Sequence, residues 1–495
     1  MPMRTWTNEE RYKYLEDPSE LLGLYEDTKD SVYRQTYHIQ AVTGLINDPN
    51  GFSYFGGKWH MFYQWCPWGA VHGLKYWYHV VSEDLVNWKN VGVGLKPEEE
   101  YVYDNKGVYS GSGYSLEDKL FLYYTGNNRD DDYIRHPYTC LAKMDKEGRI
   151  EKATHPLFKE HPDYTEHQRD PKLVAFPEKN RYYIVIGART KDERGCILIY
   201  GSQKPASDYE FLGELKVPGY ESFGGMWECP SIEHIGDKDV LIFCPQYLKL
   251  PGRGNGTNQN VNIVGRMDWD DLIFTPEKDF SVLDEGFDFY AAACAFNTKD
   301  ERTIMSAWMG LPDVSYPTDE EDWSGCLTLP RELSIKEGRL YQRPVREIVS
   351  IRDEELDITD NEDGIYELPK TYELLIDVKS KDFKISLFTD ERGEGGLSLR
   401  YDSEAKLLTF DRGNMKTTFN ENEGFTRGSK LIDDLYKLQI YTDKSSVEIF
   451  VNDGEATFTS RVFPDESERY LAFHAGEVDM KAWSLKTSVD QTFVI

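Results

Sequence analysis

The chain has 495 residues, with 87 Asp or Glu against 57 Lys or Arg, so its formal net charge at pH 7 is −30. Such an acidic polymer is repelled by nucleic acid and by anionic membrane surfaces, and both are excluded as partners. No window approaches about 18 consecutive apolar residues, and MPMRTWTNEE at the start lacks the apolar centre of a secretory signal. The seven cysteines (Cys66, Cys140, Cys196, Cys229, Cys244, Cys294 and Cys326) show no CxxC pairing. Together these features predict a cytoplasmic protein with buried, reduced thiols, neither a disulfide framework nor a zinc site, and a small-molecule partner.

In chain order, residues 1–31 carry helical periodicity with many charges and read as an N-terminal extension. Five hairpins follow: GFSYFGGKWHMFYQ, GSGYSLEDKLFLYY, KLVAFPEKNRYYIVIG, SIEHIGDKDVLIFC and AAACAFNTKDERTIMSAW. Each is an apolar run, a polar turn containing Gly, Asp, Asn or Lys, and a second apolar run. The second runs start at Trp59, Leu120, Tyr182, Val240 and Thr303, an interval of about 60 residues that marks a repeat architecture. If each repeat is one sheet of about four strands, five of them stacked around an axis bring all innermost strands to a common channel. The prediction is an all-β chain: a five-bladed β-propeller over 32–345, then a linker over 346–368 that includes the acidic stretch DITDNEDG. Residues 369–495 alternate without the 60-residue period and predict a C-terminal β-sandwich, with Asp453-Gly454 as a two-residue hairpin turn.

A polar cluster precedes each second run: NDPNG at 47–51, YSGSG at 109–113, RDPK at 169–172, WECP at 227–230 and DFYA at 288–291. Asp48, Asp170 and Glu228 share the period, being 122 and then 58 residues apart, which places them on blades one, three and four. Singly, each acid has a plain structural reading in a turn or beside a proline. Three carboxyls gathered at one channel mouth repel one another, and that requires a use or a partner, of which Arg169 is one. Glycosidic cleavage needs one ionised carboxylate and one that donates a proton. Trp227 and Cys229 on either side of Glu228 predict a less polar setting suited to the donor, and the amide groups around Asp48 suit the charged partner. The tryptophans Trp65, Trp68, Trp77 and Trp227 read as packing between blades, whereas Trp308, at the end of the fifth hairpin, reads as a pocket wall. At this level an inverting propeller hydrolase and a non-catalytic carbohydrate-binding propeller remain open.

The order NDPNG, FYQ, SGS, RDPK, EC, DFYA and WM resembles glycoside hydrolase family 32, the invertase and fructanase family, from about Tyr37 to the C-terminal sandwich. VHGLKYWYH at 71–79, LDEGFDFYA at 283–291 and YPTDEEDWSGCLTLPREL at 316–333 are most similar to its intracellular bacterial branch, which acts on sucrose 6-phosphate. The resemblance implies a retaining β-fructofuranosidase with Asp48 as nucleophile, Glu228 as acid and base, and Asp170, beside Arg169, as the stabiliser that grips the fructose hydroxyls. It implies sugar contacts from Asn47, Gln64, Tyr109, Ser110 and Trp308, and no metal or other cofactor. Leu45 and His72 stand where many members carry tryptophan, and are expected to form the pocket wall. A phosphate needs cationic donors, and His72, Lys75, Arg135, His136 and Arg253 lie near the motifs. PGRGNGTNQN at 251–260 lacks the GK[ST] ending of a nucleotide loop and reads as a surface loop. Plain sucrose or short fructo-oligosaccharides as substrate, and association as a homodimer, are left open.

Overall fold

Among the described residues, five sheets, antiparallel except for one two-residue pairing and each opened by one of the predicted hairpins, build the larger lobe. Their first strands are Gly44–Phe55, Val108–Leu116, Tyr164–Phe176, Met226–Ile235 and Tyr290–Cys294. Each pairs antiparallel with the strand after it: Lys58–Cys66, Lys119–Arg129, Arg181–Thr190, Lys238–Gln246 and Thr303–Met309. Further strands extend every sheet outward. The computed structural model describes residues 5–130, 132–250, 253, 255–296, 300–358 and 364–494. Most of the 251–260 segment is described, but 251, 252 and 254 lie outside the described residues, as do 359–363 of the predicted linker and 1–4 of the extension.

The five first strands touch in chain order, and the fifth returns to the first. Pro49–Phe52, Ser110–Ser112, Asp170–Lys172, Cys229–Ser231 and Ala291–Cys294 thereby surround a lumen of about 40 Å³. The two-residue strand Trp323–Ser324, which follows the second strand of the fifth sheet, pairs parallel with Gly44–Phe55 and ties the last sheet to the first. Alternating apolar residues fill the spaces between sheets. Trp65 and Trp77 are fully buried and Trp227 nearly so, each contributing on the order of 2 kcal/mol or more by loss of water contact. Trp68 is the exception among the predicted core tryptophans: it is half-buried, with the Lys13 ammonium 4.0 Å from its ring. The extension is helical at Asn8–Arg11 and Leu22–Thr28. It packs over the loop before Tyr76–Ser82, the third strand of the first sheet, where Leu74 N donates to Arg11 O at 2.7 Å. Gly73 is required there, since a Cβ would lie 2.1 Å from Arg11 O.

The smaller lobe is two six-stranded antiparallel sheets that share one core, with Leu374, Ile376 and Ile449 from one facing Ile385, Leu399 and Phe410 from the other. The chain is thus nearly all β, as a propeller followed by a sandwich requires. The stretch read as a linker differs: Arg352–Leu356 pairs with Val478–Leu485 in one sheet, and Ile365–Glu367 pairs with Tyr470–Ala475 in the other. Both are edge strands; Arg352–Leu356 carries exposed charges along its centre and Ile365–Glu367 is only three residues long, so neither has the apolar alternation of a central strand. The hairpin after Ser446–Val451 is also longer than expected, because Val451 pairs with Ala456. Asn452, Asp453 and Gly454 all have positive φ, and a Cβ on Gly454 would lie 2.2 Å from Gln342 O of the larger lobe.

The two lobes are joined by buried charge. Arg331, fully buried, donates to Glu448 Oε2 at 2.6 and 3.1 Å and to Asp284 Oδ2 at 3.1 Å. His38 bridges Asp443 and Glu448, at 3.0 Å each. Burial alone would lower the His38 pKa, but the two carboxylates more than offset it and hold it above its ordinary value. Among the described residues no helix is long and apolar enough to cross a membrane.

Candidate active site

Each first strand is bulged at its polar cluster. The pairing register slips between Ile46 and Pro49, Tyr109 and Gly111, Arg169 and Lys172, Glu228 and Ser231, and Tyr290 and Ala293. In a regular strand, consecutive side chains point to opposite faces. A bulge breaks that alternation and re-aims side chains. Consecutive residues therefore enter one pocket: Asn47 with Asp48, Tyr109 with Ser110, Arg169 with Asp170, and Glu228 with Cys229. Asp170, Cys229 and Ala291 hold φ of 65°, 48° and 52° at these bulges, a left-handed conformation rare for residues other than glycine and characteristic of functional sites.

The pocket has a volume of about 190 Å³ and lies at one end of the lumen. Asp48 accepts hydrogen bonds from Ser110 Oγ and, at 2.9 Å, from Asn47 Nδ2. Gln64 donates to Ser110 Oγ at 2.6 Å, and Lys75 Nζ donates to Gln64 Oε1 at 2.6 Å and Asn47 Oδ1 at 3.1 Å, so the amides beside Asp48 are held by a cation. Opposite, Glu228 Oε1 accepts from Arg169 Nε at 2.9 Å and Nη2 at 2.6 Å, while Oε2 accepts from the Tyr290 hydroxyl at 2.6 Å. Asp170 Oδ2 accepts from Cys229 N at 2.9 Å. The Cys229 thiol lies 3.9 Å from Asp48 Oδ2 and 3.7 Å from Asp170 Oδ2, beside both carboxyls.

Burial pushes Asp170 up; Arg169 and the Cys229 amide oppose the rise, and the charges of Glu228 and Asp48 add to it. Arg169 is held above its ordinary value: burial alone would lower it, and Glu228 and Asp170 outweigh that. The His72 pKa falls to about 3 through burial and the charges of Lys75 and Arg11, so its ring is neutral at pH 7. Burial and then the charge of Arg169, with smaller contributions from Arg135 and Arg189, hold His167 near 4 against the opposing pull of Glu166. The pocket thus sets Lys75, Arg135 and Arg169 against three carboxyls, in a chain whose overall charge is −30.

Of the predicted site residues, Asp48, Asp170, Glu228, Asn47, Gln64, His72, Tyr109, Ser110, Arg169 and Trp308 all line this pocket. Leu45 does not: it is 5 % exposed, closed in between Cys66 and Ser324 on the two flanking strands. The expected apolar surroundings of Glu228 also differ. Trp227 turns away and packs on Phe243, ring centroids 4.3 Å apart, while Cys229 turns towards the other two acids. Of the phosphate candidates, Arg253 is tied to Glu285 and to the Asp284 carbonyl, and His136 sits between Asp130 at 3.0 Å and Glu160 at 3.3 Å. Lys75 and Arg135 line the pocket. Arg135 has no carboxylate partner among the described residues; its guanidinium lies 5.9 Å from the Tyr109 ring. Tyr290, Cys229, Gln246 and Pro312 also line the pocket without having been assigned to it from sequence, although Tyr290 and Cys229 stood inside the periodic polar clusters.

Comparison with known proteins places this fold in a family. The family model for the glycosyl hydrolases family 32 N-terminal domain matches residues 38–344, and that for the family 32 C-terminal region matches 346–489. A sucrose-6-phosphate hydrolase of Staphylococcus xylosus is 39 % identical over 481 residues, 94 % of each chain. The solved structure of a sucrose-6-phosphate hydrolase from Lactobacillus gasseri superposes with a TM-score of 0.92 at 35 % identity, covering 98 % of this chain and 100 % of that one. A Bombyx mori β-fructofuranosidase, solved as a point mutant in complex with sucrose, superposes with a TM-score of 0.82 at 28 % identity, covering 96 % of this chain and 100 % of that one. With both family models matched in order and nearly the whole chain covered, the protein belongs to glycosyl hydrolase family 32.

Proposed function

We propose that the chain is a retaining β-fructofuranosidase that cleaves the fructosyl bond of sucrose 6-phosphate and of sucrose. The observation that carries this reading is the pair of differently furnished carboxyls in one pocket. Asp48, fed by Ser110 and Asn47, attacks the anomeric carbon of the fructosyl unit and forms a covalent fructosyl-enzyme. Glu228 protonates the departing glucosyl oxygen and then takes a proton from the water that releases fructose. Asp170 and Arg169 hold the fructose hydroxyls: those that accept from Arg169 release Glu228 from its guanidinium partner and leave it to the glycosidic oxygen. Asn47, Gln64, Tyr109, Ser110, His72 and Trp308 form the rest of the sugar pocket, and Arg135 receives the phosphate of the leaving group.

In this reading the five sheets are the blades of a propeller over about 32–345 and the paired sheets are a sandwich. The reaction as written needs no metal. A phosphorylated disaccharide does not cross a bilayer unaided, which favours a cytoplasmic location; a homodimer is compatible with the reading but not needed by it. The test is kcat/KM for sucrose 6-phosphate and for sucrose in the same preparation, with the anomer of the first fructose released followed by NMR. Retention and a preference for the phosphorylated sugar are expected. A ratio near one would remove the phosphate claim, and an inverted product would remove Asp48 as nucleophile.

A further inference from the structure

The segment between the fourth and fifth sheets belongs as much to the smaller lobe as to the larger. Glu285 N donates to Thr457 O at 2.7 Å and Phe287 N to Thr459 O at 2.8 Å, so the segment lies along the edge strand Ala456–Arg461. It ends at Asp288, which is fully buried. Asp288 Oδ2 accepts from Arg412 Nη1 at 2.9 Å and from Arg461 N at 2.9 Å; Oδ1 accepts from the Tyr316 hydroxyl at 2.7 Å. Two residues later the Tyr290 hydroxyl donates to Glu228 Oε2. The same Tyr316 oxygen accepts from Leu311 N at 3.1 Å, next to Pro312 of the pocket wall. Arg412, from the second six-stranded sheet, is itself clamped between the rings of Phe287 and Phe419, at 4.0 and 4.2 Å.

We infer that Arg412 and Asp288 are positioning residues for Glu228, so that the C-terminal sheet pair sets the orientation of the acid catalyst through Tyr290. Among the described residues, Glu228 has two side-chain hydrogen-bond partners, Arg169 and Tyr290. Sugar hydroxyls compete for Arg169, which leaves Tyr290 as the contact that persists while the proton is transferred. The Tyr290 ring is placed by a backbone whose last anchor is Asp288, and Asp288 is a buried carboxylate whose ionic partner is Arg412 of the smaller lobe. Removing Arg412 leaves that carboxylate buried and under-satisfied, and the 288–290 segment relaxes. The inference rests on Glu228 being the acid and base of the proposed reaction.

The test separates acid–base positioning from general damage. With β-fructofuranosyl fluoride as substrate and azide as acceptor, fluoride leaves as an anion when Asp48 attacks, and azide displaces Asp48 to give fructosyl azide. Neither step moves a proton. Arg412→Met should lower kcat on sucrose about tenfold at unchanged KM and stay within about twofold of the parent on fluoride with azide. Tyr290→Phe should behave alike, and the double variant should be no worse than Tyr290→Phe. Tyr316→Phe, which removes one donor from Asp288 at nearly constant volume, carries the same comparison if Arg412→Met does not fold. An equal loss on both substrates, no loss on either, or multiplying effects in the double variant would overturn the inference. Glu228→Gln failing equally on both substrates would instead overturn the acid–base reading beneath it.

Discussion

Replacing Arg135 by Gln tests the phosphate assignment at a single group. The guanidinium lines the pocket, has no carboxylate partner among the described residues, and lies over the Tyr109 ring, while the other guanidinium there, Arg169, is engaged by Glu228. Burial and the neighbouring charge of Arg169 lower the Arg135 pKa, with Tyr109 opposing, and it nevertheless stays cationic at pH 7. An arriving dianion relieves that cation–cation repulsion and gains a charge-assisted hydrogen bond, an interaction of roughly 1.5–3 kcal/mol. At about 1.4 kcal/mol per tenfold, Arg135→Gln should therefore cost kcat/KM for sucrose 6-phosphate roughly 10- to 150-fold and leave kcat/KM for sucrose within about threefold. Steady-state glucose or glucose 6-phosphate release measures both. Raising the salt concentration should narrow the gap for the parent and leave the variant's ratio nearly flat, because a partly exposed cation is screened. Equal losses on the two sugars would refute the reasoning and make Arg135 a structural support for Tyr109; no loss on either would move the phosphate elsewhere.

Three further outcomes follow from the geometry. Asp48→Asn and Glu228→Gln should each lose several orders of magnitude in turnover while retaining the far-UV circular dichroism and melting temperature of the parent to within a few degrees; near-parental activity in either would reject its role. Asp170→Asn removes a carboxyl whose folded-state pKa is raised to about 7 above an unfolded value of roughly 3.9. That group's contribution is most favourable below the unfolded pKa and is lost as pH rises through the window to the folded one, so the variant should melt progressively higher than the parent between about pH 4 and 7, then by a constant margin, and should be inactive. A melting difference independent of pH would contradict the buried, proton-bearing Asp170. Arg331→Met strands the fully buried Asp284 and Glu448 and should cost about 3–5 kcal/mol, read as a lowered denaturation midpoint; an unchanged midpoint would show that the lobes do not depend on this ion pair.

Much of the fold was legible because its signals are local. The apolar runs and their turns recur at a constant interval, and their pairing partners are the adjacent runs, so the five hairpins at Gly44–Cys66 through Tyr290–Met309 could be read without tertiary information. The acids were legible for the same reason, since a shared period implies a shared depth. The edge strands Arg352–Leu356 and Ile365–Glu367 were not, because an edge strand exposed on one side has the composition of a linker, and only its distant partners near the C-terminus make it a strand. Leu45 stands next to the NDPNG cluster in sequence, but Trp323–Ser324, far along the chain, pairs beside it and closes it off from the pocket.

The amino-acid order by itself determined the repeat, the all-β character and the three carboxyls at equivalent depth, since period and alternation are properties of neighbouring residues. Which way each side chain points was decided only by the tertiary structure. The bulges admit consecutive residues to the pocket, turn Trp227 out and Cys229 in, and place Tyr290 on Glu228. Counter-ions are likewise a long-range matter. Arg253 and Arg135 are equally basic along the chain, but one meets Glu285 and the other faces the pocket without a carboxylate partner among the described residues. Pairing register and charge neutralisation are set by residues far apart in sequence.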